Sequence, residues 1–214
     1  MSRRGVLAPP PPGAVEHLCS ADSVLAGIIE RTGPLELTLE PDLWWALVDA
    51  IASQQLSVKA AATIVGRIGR LGTGEQRPTP PELLALPDEA LRGAGLSRAK
   101  VVYVKDLAAK WLDGTLEPAR FDALDDEAII AHLTQVKGVG RWTAEMVLIF
   151  TLARPDVLPV DDLGLKVAVQ RAYSLEERPA RDLLTRIAEP WRPFRSLATR
   201  YLWKSLNNTP PVAS

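Results

Sequence analysis

Apolar residues recur along most of this chain at intervals of three and four, the spacing that lines one face of a helix, and nowhere alternate for long enough to make a strand of useful length. Val15, Leu18, Val24, Leu25, Ile28 and Ile29 predict one or two helical pieces between Ala14 and Arg31, ended by Pro34. The short alternation LELTLE before Pro41 predicts an extended link. Pro41 and Asp42 open a helix over DLWWALVDAIASQQ, with Leu43, Leu47, Val48 and Ile51 on one face and Trp44 and Trp45 partly in the core. After the turn SQQLS, Ser57 is placed to cap a helix over VKAAATIVGRIGRL, whose alanines permit close helix packing.

Gly72 to Pro81 reads as a loop. Two short helices follow, Pro81 to Leu86 and Pro87 to Arg92. Ser97 then caps a long amphipathic helix that ends near Gly114. Leu116 to Asp122 is a connector. Glu127 to Val136 and Arg141 to Leu152 are two helices joined by the turn Lys137 to Gly140, and Asp125 and Asp126 place negative charge at the positive end of the first. Leu163 to Tyr173, Pro179 to Ala188 and Pro193 to Leu206 complete a chain of all-α class. Residues 1 to 13, with prolines at 9 to 12, read as a flexible polyproline tail ahead of a domain over residues 14 to 214.

Composition narrows the function classes. With 214 residues and 47% hydrophobic content, the chain can bury a core, as one domain or two small lobes. A net charge of −1 gives no bulk electrostatic case for nucleic acid, so affinity for it has to come from local basic groups and backbone amides. The single cysteine, Cys19, excludes an intramolecular disulfide and a cysteine-ligated cluster within this chain, and fits a reducing compartment. No apolar run is long enough for a membrane span, and prolines stand where a signal peptide needs an apolar stretch. The expectation is a cytoplasmic protein with no membrane partner, nucleoid-associated if bacterial. His17 and His132 lie far apart in the chain and suit surface or packing roles better than metal binding.

Chemistry concentrates between Leu133 and Lys166. In KGVGRWTA the glycines allow positive φ and leave amides uncovered, and the helix that follows directs its positive end outward, which suits a phosphate. Lys137 and Arg141 add local charge. The same turn also fits an ordinary helical hairpin with a glycine C-cap. Asp161 and Asp162 precede another helix, where an aspartate commonly caps free amides; one of the pair then remains for chemistry. Basic residues outnumber acidic ones from Lys166 to Lys204, which fits either a DNA-facing surface or a solvated helical one.

Four segments together resemble one family. LTQVKGVGRWTAEMVLIF followed by LPVDDLGLK, with IASQQLSVKAAATIVGRI before it and WRPFRSLATRYLW after it, is similar to the helix–hairpin–helix superfamily of DNA base-excision glycosylases, in its DNA-3-methyladenine glycosylase II branch. The resemblance covers most of Pro41 to Leu206 and points to the compact form, since the chain has no room for the N-terminal mixed domain of larger bacterial relatives. It implies a two-lobed helical bundle with an interlobe cleft, one lobe from about 14–50 plus 151–214 and the other from about 51–150.

The resemblance also implies roles. Asp162 takes the catalytic aspartate position and Asp161 the preceding site, as a structural cap. Trp142 stands where strand-cutting relatives carry a nucleophilic lysine, which implies a monofunctional enzyme that leaves an abasic site. Trp142 and Trp203 match aromatic positions of the base pocket. Lys204 stands where some relatives have a further aromatic, which bears on lesion range. Gln54, Gln55, Leu56 and Ser57 form the loop that enters the DNA stack, with Gln55 or Leu56 as the plug. Lys137, Gly138, Val139, Gly140, Arg141 and Thr143 hold the DNA backbone. The main-chain carbonyls of Thr134, Val136 and Val139 would hold a monovalent cation, Na+ or K+; no other cofactor is required. The expected partner is double-stranded DNA carrying damaged bases, bound by a monomer that excises alkylated purines of the 3-methyladenine and 7-methylguanine type. The alternative is a non-catalytic helix–hairpin–helix module that binds DNA damage.

Overall fold

Asp22, Asp42, Ser57, Ser97, Asp125 and Asp162 each accept a hydrogen bond from an amide of the helix that follows, so short polar residues set where six of the helices begin. The computed structural model describes residues 6–74 and 76–207 and is mainly helical. Contacts divide the described chain into two units, the first Glu40–Val147 and the second made of the residues up to Leu39 together with those from Leu148 onward. These boundaries fall at 39/40 and 147/148, where the sequence reading placed them near 50 and 150.

The first unit contains α3 (Leu43–Ser53), α4 (Val58–Gly69), α5 (Pro80–Ala85), α6 (Asp88–Gly93), α7 (Arg98–Leu112), α8 (Asp126–Leu133) and most of α9 (Arg141–Phe150). Helix α3 packs on α4 and α7, and α7 also packs on α5 and α6. Leu47, Val48 and Ile51 of α3 are fully buried, and Trp44 and Trp45 are buried as well; Trp44 donates its indole N–H to the Pro78 carbonyl at 2.9 Å. The segment expected as a connector contains a 3-10 helix, Pro118–Ala123, because Phe121 turns inward and is buried.

The second unit is built from α1 (Ala14–Ala21), α2 (Ser23–Thr32), α10 (Leu163–Ala172), α11 (Arg181–Ala188) and α12 (Arg195–Asn207). Its core joins Leu18, Leu25 and Ile28 to Leu165, Val169, Leu184, Trp191, Tyr201 and Leu202. Two expectations are corrected here. LELTLE is not merely a link: Leu37–Leu39 is a strand, β2, paired antiparallel with β1, Val6–Ala8. The proline-rich segment is accordingly no free tail over residues 6–13, since β1 is hydrogen-bonded and Pro9 to Pro12 line an apolar cavity with Leu37, Leu39, Phe194 and Leu197. Residues 1–5 of that expected tail lie outside the described residues. Three residues per strand offer too few alternations for a periodicity argument to detect.

Asp22 ties the second unit together. Its carboxylate accepts from the Val24 and Leu25 amides at 2.9 and 3.0 Å, from the Trp191 indole at 2.8 Å and from the Tyr173 hydroxyl. Among the described residues, no helix is long and apolar enough to cross a membrane.

Candidate nucleic-acid and active site

The hairpin of the first unit is shaped by one glycine. Gly138 has φ +80°, and a Cβ there would lie 2.2 Å from the Tyr103 ring, so this position requires both the left-handed backbone and the missing side chain. The glycines allow positive φ at both positions, and Gly138 alone uses it: Gly140 is not in the left-handed region and has open space around it. Replacing Gly138 by alanine is expected to cost about 3 kcal/mol through strain and overpacking. A urea titration, with binding to an abasic-site duplex measured alongside, checks it; an unchanged midpoint with intact binding refutes it.

Not every hairpin amide is open to a phosphate. The Lys137 amide donates to Asp106 at 2.9 Å, and the Val139 amide donates to the Val136 carbonyl at 3.0 Å. Among the described residues, the amides of Gly138, Gly140 and Arg141 have no protein acceptor, and they lie at the N-terminal end of α9. Burial alone would raise the Asp106 carboxyl, but Lys110 and the Lys137 amide hold it below the usual carboxylate value. The Lys137 ammonium stands 3.6 Å from Asp106. Arg141 pairs with Glu127 and with Glu145 at 3.0 Å, and Glu127 raises its pKa further. Its charge is thus spent largely on the protein. Thr143 is buried in α9, and Trp142 beside it is about half exposed.

The loop between α3 and α4 is fastened to this hairpin. Gln54 donates its amide to the Gly138 carbonyl at 2.7 Å, and Lys100 donates to the carbonyls of Ala52 and Gln54 at 2.8 and 2.7 Å. A cation at the C-terminal end of α3 complements its dipole. Burial lowers the Lys100 pKa. Gln54 therefore joins loop to hairpin, while Gln55 and Leu56 are exposed, Gln55 in the left-handed region at φ +56°. Ser57 caps α4 through the Ala60 amide at 3.4 Å, as its spacing predicts.

The acidic pair belongs to the second unit, and the structure reverses one expectation about it. Asp161 is not the cap. It is exposed and pairs with Arg181 and, at 3.9 Å, with Lys166. Asp162 is the N-cap of α10 and is only 9% exposed. Its Oδ1 accepts from the Leu165 amide at 2.6 Å and from the Trp203 indole N–H at 2.8 Å. Asp161 lies inside the turn that the Asp162 amide closes on the Pro159 carbonyl at 2.9 Å, and Asp162 holds the N-cap position from which a side chain reaches the helix amides. Trp203 stacks on Phe150 with centroids 5.8 Å apart and planes 12° apart.

Three features of this site are missing from the sequence reading. Gly164 leaves room for it: a Cβ there would lie 3.1 Å from Asp162 Oδ1 and 3.3 Å from the Trp203 nitrogen. The glycine two residues after the aspartate was a usable signal. Arg195 and Ser196 clamp the crossover that delivers Asp162. Arg195 binds Asp156 at 2.7 Å, and the Ser196 hydroxyl donates to the Arg154 carbonyl at 2.7 Å and accepts from the Val157 amide at 2.9 Å. Arg192 also pairs with Asp156 at 2.6 Å. Several basic residues of this region, Arg181, Arg192 and Arg195 among them, are thus engaged with the protein's own carboxylates. Phe150, finally, gave no signal beyond helical periodicity.

Comparison with known proteins agrees with this arrangement. Residues 48–193 match the model of the HhH-GPD superfamily of base excision DNA repair proteins. A relative in Schizosaccharomyces pombe, DNA-3-methyladenine glycosylase 1, is 39% identical over 194 residues, 88% of this chain and 85% of the relative. The solved structure of the 3-methyladenine DNA glycosylase of that organism in complex with abasic DNA superimposes with a TM-score of 0.82 at 34% identity, covering 91% of this chain and 96% of that one. The DNA-3-methyladenine glycosidase of Bacillus halodurans gives 0.83 at 35% identity, covering 94% and 92%. With its hairpin, its capped aspartate and the family match over most of its length, the chain belongs to the HhH-GPD superfamily of base excision DNA repair proteins.

Proposed function

We propose that the protein is a monofunctional DNA glycosylase that flips an alkylated purine out of duplex DNA and hydrolyses its N-glycosidic bond, leaving an abasic site. The observation that carries this reading is the Asp162 carboxylate, buried at the head of α10 and held by an amide and an indole N–H on one oxygen. Alkylation at N3 or N7 makes the purine cationic, so the base leaves without a strong general acid. The demand falls on the sugar, which becomes oxocarbenium-like as the bond breaks. The Asp162 carboxylate stabilises that positive charge and positions or deprotonates the attacking water. Oxygen from water ends on the sugar carbon, and the bonding electrons leave with the base.

The remaining residues serve binding. The open amides of Gly138, Gly140 and Arg141, with Lys137, hold the DNA backbone. Gln55 or Leu56, exposed at the loop tip, fills the vacated stack. Trp203, in the same unit as Asp162, or else Trp142 stacks on the flipped, electron-poor base. The carbonyls of Thr134, Val136 and Val139 suit a monovalent cation: Val136 already accepts the Val139 amide, but a carbonyl has a second lone pair. Such an ion would neutralise phosphate charge beside the hairpin. The enzyme would work as a monomer.

Incubation with a panel of single-lesion duplexes, followed by alkali, tests this. Strand breaks at 3-methyladenine or 7-methylguanine are expected after alkali and not before, because Trp142 offers no amine nucleophile. Breaks before alkali overturn the monofunctional chemistry. Retained binding without any abasic product favours a damage-binding module.

A further inference from the structure

Arg200 is an unusual cation for a protein interior. It is 8% exposed, and among the described residues no carboxylate pairs with it. One guanidinium nitrogen donates to the carbonyls of Thr38 at 3.2 Å and Ile149 at 3.5 Å, and burial pulls its pKa down to about 10. A charge taken from water without a counter-ion costs free energy, so something has to repay it. Its guanidinium carbon lies 4.4 Å from the centroid of the Phe150 ring. That is a cation–π contact made by a buried guanidinium to the ring of Phe150, which is 37% exposed, and loss of water from the cation strengthens such a contact.

The contact continues toward the acid. Phe150 stacks nearly parallel on Trp203, and the Trp203 N–H reaches Asp162 Oδ1 at 2.8 Å. Gly164 places no side chain beside the indole that could fix its plane from that side. The aromatic stack is then what sets that plane, and a hydrogen bond of this length weakens quickly when its donor tilts.

We infer that Arg200 and Phe150 are positioning residues: they hold the Trp203 ring in the plane from which its N–H orients the Asp162 carboxylate. This rests on the reading of Asp162 as the catalytic group. Arg200 touches neither the acid nor the base. Its charge fixes the Phe150 face, Phe150 fixes Trp203, and Trp203 fixes the carboxylate oxygen that must face the sugar. A rotated carboxylate would still cap α10, so the defect would appear in the chemical step rather than in stability.

The test is steady-state excision from a duplex carrying one 7-methylguanine, with melting temperatures recorded in parallel, for Phe150→Leu, Phe150→Tyr, Arg200→Met and Arg200→Lys. Phe150→Leu and Arg200→Met are expected to lower kcat roughly tenfold with KM within about twofold. Phe150→Tyr keeps the ring face and Arg200→Lys keeps a cation, so both should stay within about twofold of the parent. Combined with Trp203→Phe, which removes the N–H, neither Phe150→Leu nor Arg200→Met should lower kcat further. Unchanged kcat in both disruptive variants, or losses that persist in full on Trp203→Phe, overturns the inference. If one variant fails to fold, the pair at the other position decides. Asp162→Asn run beside them separates the two readings: near-parental excision by that variant sinks the catalytic assignment itself, whereas its inactivity beside fully active Phe150 and Arg200 variants sinks only the positioning role.

Discussion

Asp162→Asn is expected to lower kcat about a thousandfold on alkylated duplex while leaving binding to an abasic-site duplex within about threefold. The substitution is close to isosteric, and asparagine is as good an N-cap as aspartate, so the Leu165 amide and the Trp203 N–H keep an oxygen acceptor. Stability should hardly move. Under the proposed mechanism, what disappears is the negative charge that stabilises the developing oxocarbenium ion and the group that positions or deprotonates the water. Asp162→Ala would lose the cap as well, about 1 kcal/mol, and would confuse the two effects. Asp161→Asn is the matched control: Asp161 is exposed and ion-paired to Arg181, and exposed pairs contribute little, so excision should stay within about twofold of the parent. Single-turnover excision rates and fluorescence-anisotropy binding measure the separation. Near-parental turnover by Asp162→Asn would remove the acid from the mechanism.

Asp22→Ala should produce the largest loss of stability, about 3 kcal/mol or more, and a melting temperature lower by roughly 10 °C. The cap of α2 is lost, and the donors on Trp191, which is fully buried, and Tyr173 lose their acceptor. Asp22→Asn dissects the effect, since its oxygen still caps the helix but its amide group cannot accept from the Trp191 N–H. A dependence on pH follows from the same contacts. Burial by itself would raise the Asp22 carboxyl, but the Trp191 and Tyr173 donors and the two amides outweigh it and hold the folded-state value below 3.8. A carboxyl depressed by folding stabilises the protein above its unfolded value and loses that contribution as the pH falls through the folded value. Urea midpoints should therefore fall more steeply below about pH 4 in the parent than in Asp22→Asn. Parallel curves for the two proteins would show that Asp22 is not the group responsible.

Much of the site was legible because its parts are local in the chain. A glycine turn between two amphipathic segments, short polar residues ahead of apolar runs and a proline before an aspartate all report conformations set within a few residues. The helical class, the hairpin, Ser57 and Ser97 as caps, the negative charge of Asp125 and Asp126 at the start of α8, and the core face of α3 follow from that. Between Asp161 and Asp162 the residues alone do not choose. The preference for Asp162 as the acid came from resemblance, and the assignment of the cap to Asp161 was wrong, because which side chain of adjacent residues turns back toward the helix depends on the backbone of the Pro159–Asp162 turn.

By itself, then, the sequence determined the helices, the Ser57 and Ser97 caps and the hairpin, since those depend on i to i+4 neighbours and on the backbone freedom of a single glycine. Only the tertiary structure decided the rest. It paired Val6–Ala8 with Leu37–Leu39, converged four donors on Asp22 from positions up to 169 residues away, and committed Arg141 to Glu127 and Glu145. It also set Arg200, Phe150 and Trp203 in line behind Asp162. Apart from the two amides that Asp22 caps and the i,i+4 pair of Arg141 with Glu145, these contacts join residues distant in the chain, and their partners are chosen by packing that no local periodicity encodes.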